Sequence, residues 1–455
     1  MQRSQIKDFT QGNITGQLVT FAWPLFLSNL LQVVYNMVDM IVVGQHLGKT
    51  GLSAVSIGGD VTHFLTFIAM GFSSAGQVII SRYIGAKQAH KLGRFVGTMS
   101  GFLVVSALGM GAIALVFRHQ ILWLMSTPAL AREGALAYSS VSMMGLIFIY
   151  GYNAVSAILR GMGDSKHPFV FISLAAVTNL VLDVLFVMGF DWGPGGAALA
   201  TVMSQALSFA ACTVFLYKNR KQFRLDISRS DFIHWEPEML KDLVRLGTPM
   251  AIKSASIQIS KLFVNSWVNS YSLEVSAFAG VANKVSSISN LVSNAMNTAG
   301  STMVGQNIAA GSFKRVNQIL LRLAAISLSV ALVISLGVML YPMPFFSLFT
   351  DDAAVLALVP DYVPIAVMLF FGSAMRSIMN ALINGSGNYR INFATAILDG
   401  IVLRIGLTLL FGLALDMKAY GFWLGDALAG FTPFWIGLVF YLTGRWKNGR
   451  IAPST

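Results

Sequence analysis

The chain has 455 residues, 55% of them hydrophobic and 11% charged, with a mean hydropathy of +0.68 and a formal net charge of +12. Soluble domains carry about 25% charged residues, so too few polar side chains are present to cover a water-facing surface. That excludes an ordinary cytosolic enzyme and a disordered chain, and the single cysteine, Cys212, excludes a disulfide scaffold. A polytopic membrane protein remains, in which the position of the charges matters more than their sum. The surplus of +12 is not read as nucleic-acid binding.

Met1–Gln17 is polar, with Arg3, Lys7 and Asp8, and no small-residue cleavage site follows, so the first apolar stretch is expected to be a retained membrane helix. A spanning helix needs about 20 mostly apolar residues. Windows of that length predict spans at 18–43, 52–80, 95–117, 136–159, 168–190 and 195–217. A second set follows at 243–270, 275–308, 317–341, 360–383, 392–415 and 419–443. These runs are apolar on every face and lack two-residue alternation, which excludes a β-barrel. With the N-terminus placed inside, 22 Lys and Arg lie on inner segments, and the outer loops hold only Lys49, Arg118, Arg132 and Lys418. That asymmetry predicts cytoplasmic N- and C-termini.

The one long polar stretch, 218–242, falls near the midpoint. The expected organisation is a six-helix lobe over 1–217, an inter-lobe linker over 218–242, a second six-helix lobe over 243–443 and a cytoplasmic tail over 444–455. A shift of about 224 residues superimposes the halves. Leu18–Val19 with Pro24 matches Leu243–Val244 with Pro249, and Ala75–Gly76 matches Ala299–Gly300. Leu159–Arg160–Gly161–Met162–Gly163–Asp164 matches Ile383–Asn384–Gly385–Ser386–Gly387–Asn388. Six helices per half is even, so both halves enter from the same side as parallel repeats. Duplicated transporters of this kind hold substrate between the repeats and rock one against the other.

Ionisable residues inside spans cost several kcal/mol, and each is a functional candidate. The first half carries Asp39, Asp60 and Asp183, with Asn179 one helical turn before Asp183 and on the same face. A desolvated carboxyl exchanges protons or, when ionised, ligates a cation. The second half carries Lys253, Lys261, Lys284, Arg376 and Arg404 against only Asp399 and Asp426. Two readings stand for this basic set: it binds an anionic or zwitterionic substrate, or it pairs internally, as Asp399 with Arg404, with residues near span ends snorkelling to the interface. Lys253, Arg376 and Lys261, with Tyr138 and Asn153, form the candidate substrate cavity. Pro24 removes a backbone hydrogen bond early in the first span and either bends that helix during transport or kinks it statically. The six histidines are scattered without metal-ligand spacing. Arg160–Gly163 lacks the Lys-Ser or Lys-Thr of a phosphate-binding loop. No catalytic set converges, so neither an enzyme nor a resident cofactor or metal is expected.

Pro24, then Tyr35–Asn36–Met37–Val38–Asp39, Leu159–Asp164, Asn179–Leu180–Val181–Leu182–Asp183 and Thr201 occur in an order and spacing that resembles the multidrug and toxic compound extrusion (MATE) transporters, most of all their DinF-like branch. The resemblance covers nearly the whole chain. It implies an all-α membrane fold of twelve helices, in two six-helix lobes around a V-shaped cavity. It also implies antiport, in which inward protons or sodium ions drive export of organic compounds. A coupling site is carried over to Asp39, Asn179, Asp183 and Thr201, with Tyr35 nearby, and a helix-bending position to Pro24. Sodium, if transported, would be held by those four residues. NorM-like members carry acidic residues in helices 7 and 10, where this chain has Lys253, Lys261 and Arg376, which argues against a cation site there.

The expectation is therefore a monomeric, multi-pass exporter in a bacterial plasma (inner) membrane, with lipid and a small organic substrate as its partners. A lipid-linked precursor flippase of the same superfamily and an exporter of anionic or zwitterionic metabolites are the alternatives. A membrane-embedded enzyme fits least.

Overall fold

The structure, a computed structural model, describes residues 5–448, and among these the chain is helical with no β-strand. The stretch Ile14–Gly85 is broken at Gly48, whose φ of 62° and ψ of −162° lie where essentially only glycine is unstrained. The break makes two helices, α1 (14–47) and α2 (49–85). Then come α3 (Leu92–Val116) and α4, whose halves Ala129–Met144 and Leu146–Gly161 meet at a 49° bend. Helix α5 (Lys166–Asp183) runs on into a π-helical turn, Val184–Gly189, and α6 is Gly193–Lys218.

The second half repeats this with α7 (Pro237–Val268), α8 (Leu273–Ala309), α9 (Phe313–Leu340) and α10 (Val359–Gly385). Helix α11 begins at Tyr389–Ile397 and continues through alternating π and α turns to Ala414. Helix α12 consists of Lys418–Ala429 and Thr432–Leu442. Eight described helices are long and apolar enough to cross a membrane, or nine with the bent α4. One of those eight is the α1–α2 pair, which the break makes two. Helices α7 and α8 are long enough but diluted by Lys253, Lys261, Lys284 and many Ser and Asn. Together these make the twelve expected spans. Helices are the natural solution, because every backbone N–H and C=O in hydrocarbon must be bonded within its own segment.

Packing divides the described chain into two compact units. One holds residues 5–8 and Leu27–Ala251, the other Phe9–Phe26 and 252–448. The division falls inside α1 and α7, two residues past Pro24 and Pro249 respectively. The opening turns of α1 belong to the second unit because Phe9, Leu18, Phe21, Ala22 and Leu25 bury against α8, α9 and α10. The segment before α1 is fastened there too. The Phe9 N–H donates to Gln306 Oε1 at 2.8 Å, and Arg315 donates to the carbonyls of Phe9 and Gln11, each at 2.9 Å.

The expected linker 218–242 lies wholly in the first unit. Trp235 packs edge-on against Phe102 of α3, and Arg94 pairs with Glu236 at 3.3 Å. The expected tail 444–455 is described only to Asn448, and residues 449–455 lie outside the described residues, as do 1–4.

The repeat seen in the sequence is also a repeat in packing. A Cβ on Gly161 would meet the carbonyl oxygen of Gln77 at 2.8 Å, and one on Gly385 would meet that of Ser301 at the same distance. Gly163 and Gly387 both have positive φ, at 88° and 67°. Asp164 Oδ1 then accepts from the His167 N–H, and Asn388 Oδ1 from the Ile391 N–H, both at 3.2 Å. Each half thus ends its fourth span with one glycine for close approach, one for a left-handed turn, and a polar side chain capping the next helix.

Candidate functional site

In the first unit, Tyr35 and Asp39 stand four apart on α1, and Asn179 and Asp183 four apart on α5, so each pair projects from one helix face. Their carboxyls meet: Asp39 and Asp183 lie within hydrogen-bond reach of each other. Asp183 is fully buried, and neither of its carboxyl oxygens nor Asp39 Oδ1 receives a hydrogen bond from a described residue. Two acceptors facing each other attract only when a proton or cation sits between them.

Around the pair, the Asn179 amide donates to Thr201 Oγ1 at 3.4 Å, and Thr201 donates to the Ala197 carbonyl at 3.1 Å. The Tyr138 hydroxyl lies within hydrogen-bond reach of Thr201. Asp39, Asn179, Asp183, Thr201 and Tyr35 are therefore brought together by α1, α5 and α6.

Tyr138 was expected with the substrate residues, but the structure places it on α4 at the edge of this carboxyl site. Its ring is buried with Val43, Val55, Val187, Ala197 and Ala198. Gly58 of α2 makes room, since a Cβ there would come within 2.5 Å of the ring. The signal was weak: a tyrosine among small residues reads equally well as ordinary packing. Asn153 also lies in the first unit, where its amide donates to the Ile149 carbonyl of its own helix at 2.8 Å. Tyr138 and Asn153 thus belong to the first unit, and Lys253, Lys261 and Arg376 to the second.

Those three basic residues do come together, in the second unit. Arg404 of α11 is buried and bridges Asp399, at 2.9 Å, and Asp426 of α12. Internal pairing, one of the two readings open from the sequence, thus holds for Arg404. It does not hold for the others. Lys253 Nζ donates to Asn380 Oδ1 at 2.6 Å, Lys261 Nζ to Ser286 Oγ at 3.3 Å, and Arg376 Nη2 to Asn290 Oδ1 at 2.5 Å. Each of these partners is neutral, and among the described residues none of the three bases has a carboxylate within 4.0 Å. Asn290 and Asn380 were missed from the sequence, although Ser286 with Asn290 and Arg376 with Asn380 follow the four-residue spacing of one helix face.

Known proteins resemble the chain over its whole length. The MatE family matches twice, at residues 24–185 and 249–410, which is the internal repeat again. "Probable multidrug resistance protein YpnP" of Bacillus subtilis is 30% identical over 444 residues, 98% of each chain. "Probable multidrug resistance protein NorM" of Thermotoga maritima is 24% identical, over 96% of this chain and 94% of its own.

Among solved structures, an outward-facing multidrug resistance MATE family transporter of the MOP superfamily superimposes with a TM-score of 0.90. It is 22% identical over 99% of this chain and all of its own. A MOP superfamily transporter from Pyrococcus furiosus, described as having a binding pocket of reverse polarity, gives 0.89 at 21% identity, over 99% of this chain and 100% of its own. At such identities these structures bear on the fold alone.

Proposed function

The chain belongs to the MatE family of membrane transporters, and from that premise we propose that it is a secondary active antiporter. It exports organic compounds in exchange for inward protons or sodium ions by alternating access. One observation carries this reading: the facing pair Asp39 and Asp183, contributed by two different helices, in which Asp183 is buried and neither its carboxyl oxygens nor Asp39 Oδ1 receives a hydrogen bond from a described residue. Loading a proton or a cation from outside neutralises the pair and lets α1 and α5 close on each other. Asn179 and Thr201 supply further oxygen ligands for sodium, while a proton needs only the carboxyls.

Pro24 lies fifteen residues before Asp39 on α1, next to the point where that helix passes from one packing unit to the other. A bend there transmits the change at Asp39 along the chain. Moving one charge across 100 mV supplies about 2.3 kcal/mol, which sustains a gradient of about fifty-fold at about 1.4 kcal/mol per tenfold. The distribution of Lys and Arg supports both termini being cytoplasmic, and the bacterial relatives support a bacterial plasma membrane.

The test is uptake into inside-out vesicles or proteoliposomes under an imposed proton or sodium gradient, with one cationic dye and one anionic fluorophore. Gradient-driven uptake of either, lost in Asp39→Asn and Asp183→Asn at matched expression, is the expected result. Undiminished driven uptake in both variants removes the pair from the coupling mechanism.

A further inference from the structure

We propose that the basic cluster of the second unit binds the dianionic headgroup of an organic compound, a phosphate monoester or a dicarboxylate, on an apolar body. This rests on the reading of the chain as an exporter and names its substrate class.

The argument starts from charge. Lys253, Lys261 and Arg376 are each near enough to Asp399 to interact with it, and Lys261 and Arg376 also to Arg404 and Asp426, so all six form one electrostatic group. Four positive and two negative charges leave two in surplus. Asp399 and Asp426 are already engaged by the Arg404 Nη2 and Nη1 groups, which leaves the surplus on the other three side chains.

An unpaired charge in a membrane interior is expensive, and three of them held side by side by neutral amides and hydroxyls also repel one another. The arrangement has a use if an anion completes it. Donor capacity points the same way. Arg376 bonds through Nη2, leaving the N–H groups of Nε and Nη1 to donate to the oxygens of an anion. Each lysine has given only one of its three N–H groups.

The surroundings fit the rest of the ligand. Lys261, Ser286, Asn290, Ser373, Arg376 and Asp426 line a common recess. An adjoining recess shares Lys261, Ser286 and Asp426 and is walled by Tyr362, Leu369 and Trp423. A charged head enters the first and an apolar or aromatic body rests against the second. A surplus of two matches a dianion, which leaves the site neutral when filled.

The experiment is titration calorimetry on the purified full-length protein in detergent. Phenyl phosphate and phthalate are the probes, and benzoate and benzyltrimethylammonium are controls of similar body. The dianions are expected to bind about tenfold or more tighter than benzoate, and Lys253→Gln and Arg376→Gln each to weaken them by about tenfold. Lys253→Met, which removes one ammonium and a single bond to Asn380, is read in parallel in case Arg376→Gln fails to fold.

Dihexanoyl phosphatidic acid tests the source of the headgroup. If it binds more tightly than phenyl phosphate and the same substitutions weaken it, the dianion sits on a lipid; the reverse order assigns a soluble compound. Preferential binding of benzyltrimethylammonium, dianion binding indifferent to both lysine variants, or no dianion binding up to millimolar concentration overturns the proposal. Asp183→Asn keeps dianion binding if only the coupling reading is wrong, so the two failures are told apart.

Discussion

Asp399 and Arg404 stand five residues apart on α11 and form a fully buried ion pair at 2.9 Å. In a regular α-helix, residues at that spacing point to different faces. Here Leu398–Val402 is wound as a π-helix, whose wider i→i+5 turn brings the two onto one side. Arg404 then also reaches Asp426 of α12, and the bridge ties two helices of the second unit together.

Taking Arg404 away should therefore cost much more than its packing. Arg404→Met leaves Asp399 buried and unpaired and takes the partner from half-buried Asp426, and breaking a buried pair in this way costs about 3–5 kcal/mol. The expected outcome is a marked fall in the thermal midpoint of the purified protein. The triple variant with Asp399→Asn and Asp426→Asn should recover most of it. A midpoint unchanged in Arg404→Met would show that the bridge contributes little to stability.

Gly58 and Tyr138 offer a test of the carboxyl site that touches no charge. Gly58→Ala places a methyl where the tyrosine ring lies, and overpacking of this kind costs about 1–3 kcal/mol. Tyr138 must move away from Thr201, so gradient-driven uptake should fall several-fold while Tyr138→Phe, which keeps the ring, falls less. Equal activity in Gly58→Ala and the parent would separate Tyr138 from the site.

The paired turns after α4 and α10 should respond alike. Gly163→Ala and Gly387→Ala each force a side chain into a left-handed conformation, at about 1–2 kcal/mol. Unfolding in denaturant should show similar losses for both, because the two turns share one geometry. A loss confined to one of them would mean that the repeat in sequence is not a repeat in energetics.

Arg315 holds the segment before α1 by hydrogen bonds to the carbonyls of Phe9 and Gln11, and it also bonds the Gln17 side chain in the first turn of α1. With Arg315→Met, hydrogen exchange at residues 9–12 should quicken by about tenfold or more, as expected for loss of about 1.4 kcal/mol of local stability. Unaltered exchange there would place the anchoring in Gln306, Asn307 and the buried Phe9 ring instead.

The sequence alone determined the number of spans, the duplication and the family. Hydrocarbon accepts few backbone solutions, so apolar runs of spanning length announce helices wherever they occur. It also picked out Asp39 and Asp183, because a carboxyl in such a run is too costly to be incidental, and Asn179 by its place one turn before Asp183. Four-residue spacing made each helix face legible, but spacing says nothing about which face it meets. That Asp183 meets Asp39, that Tyr138 joins them, and that Arg404 also reaches Asp426 were decided by tertiary packing. So was the passage of α1 from one unit to the other after Phe26. Each depends on where a helix from a distant part of the chain comes to rest, and local periodicity carries no record of that.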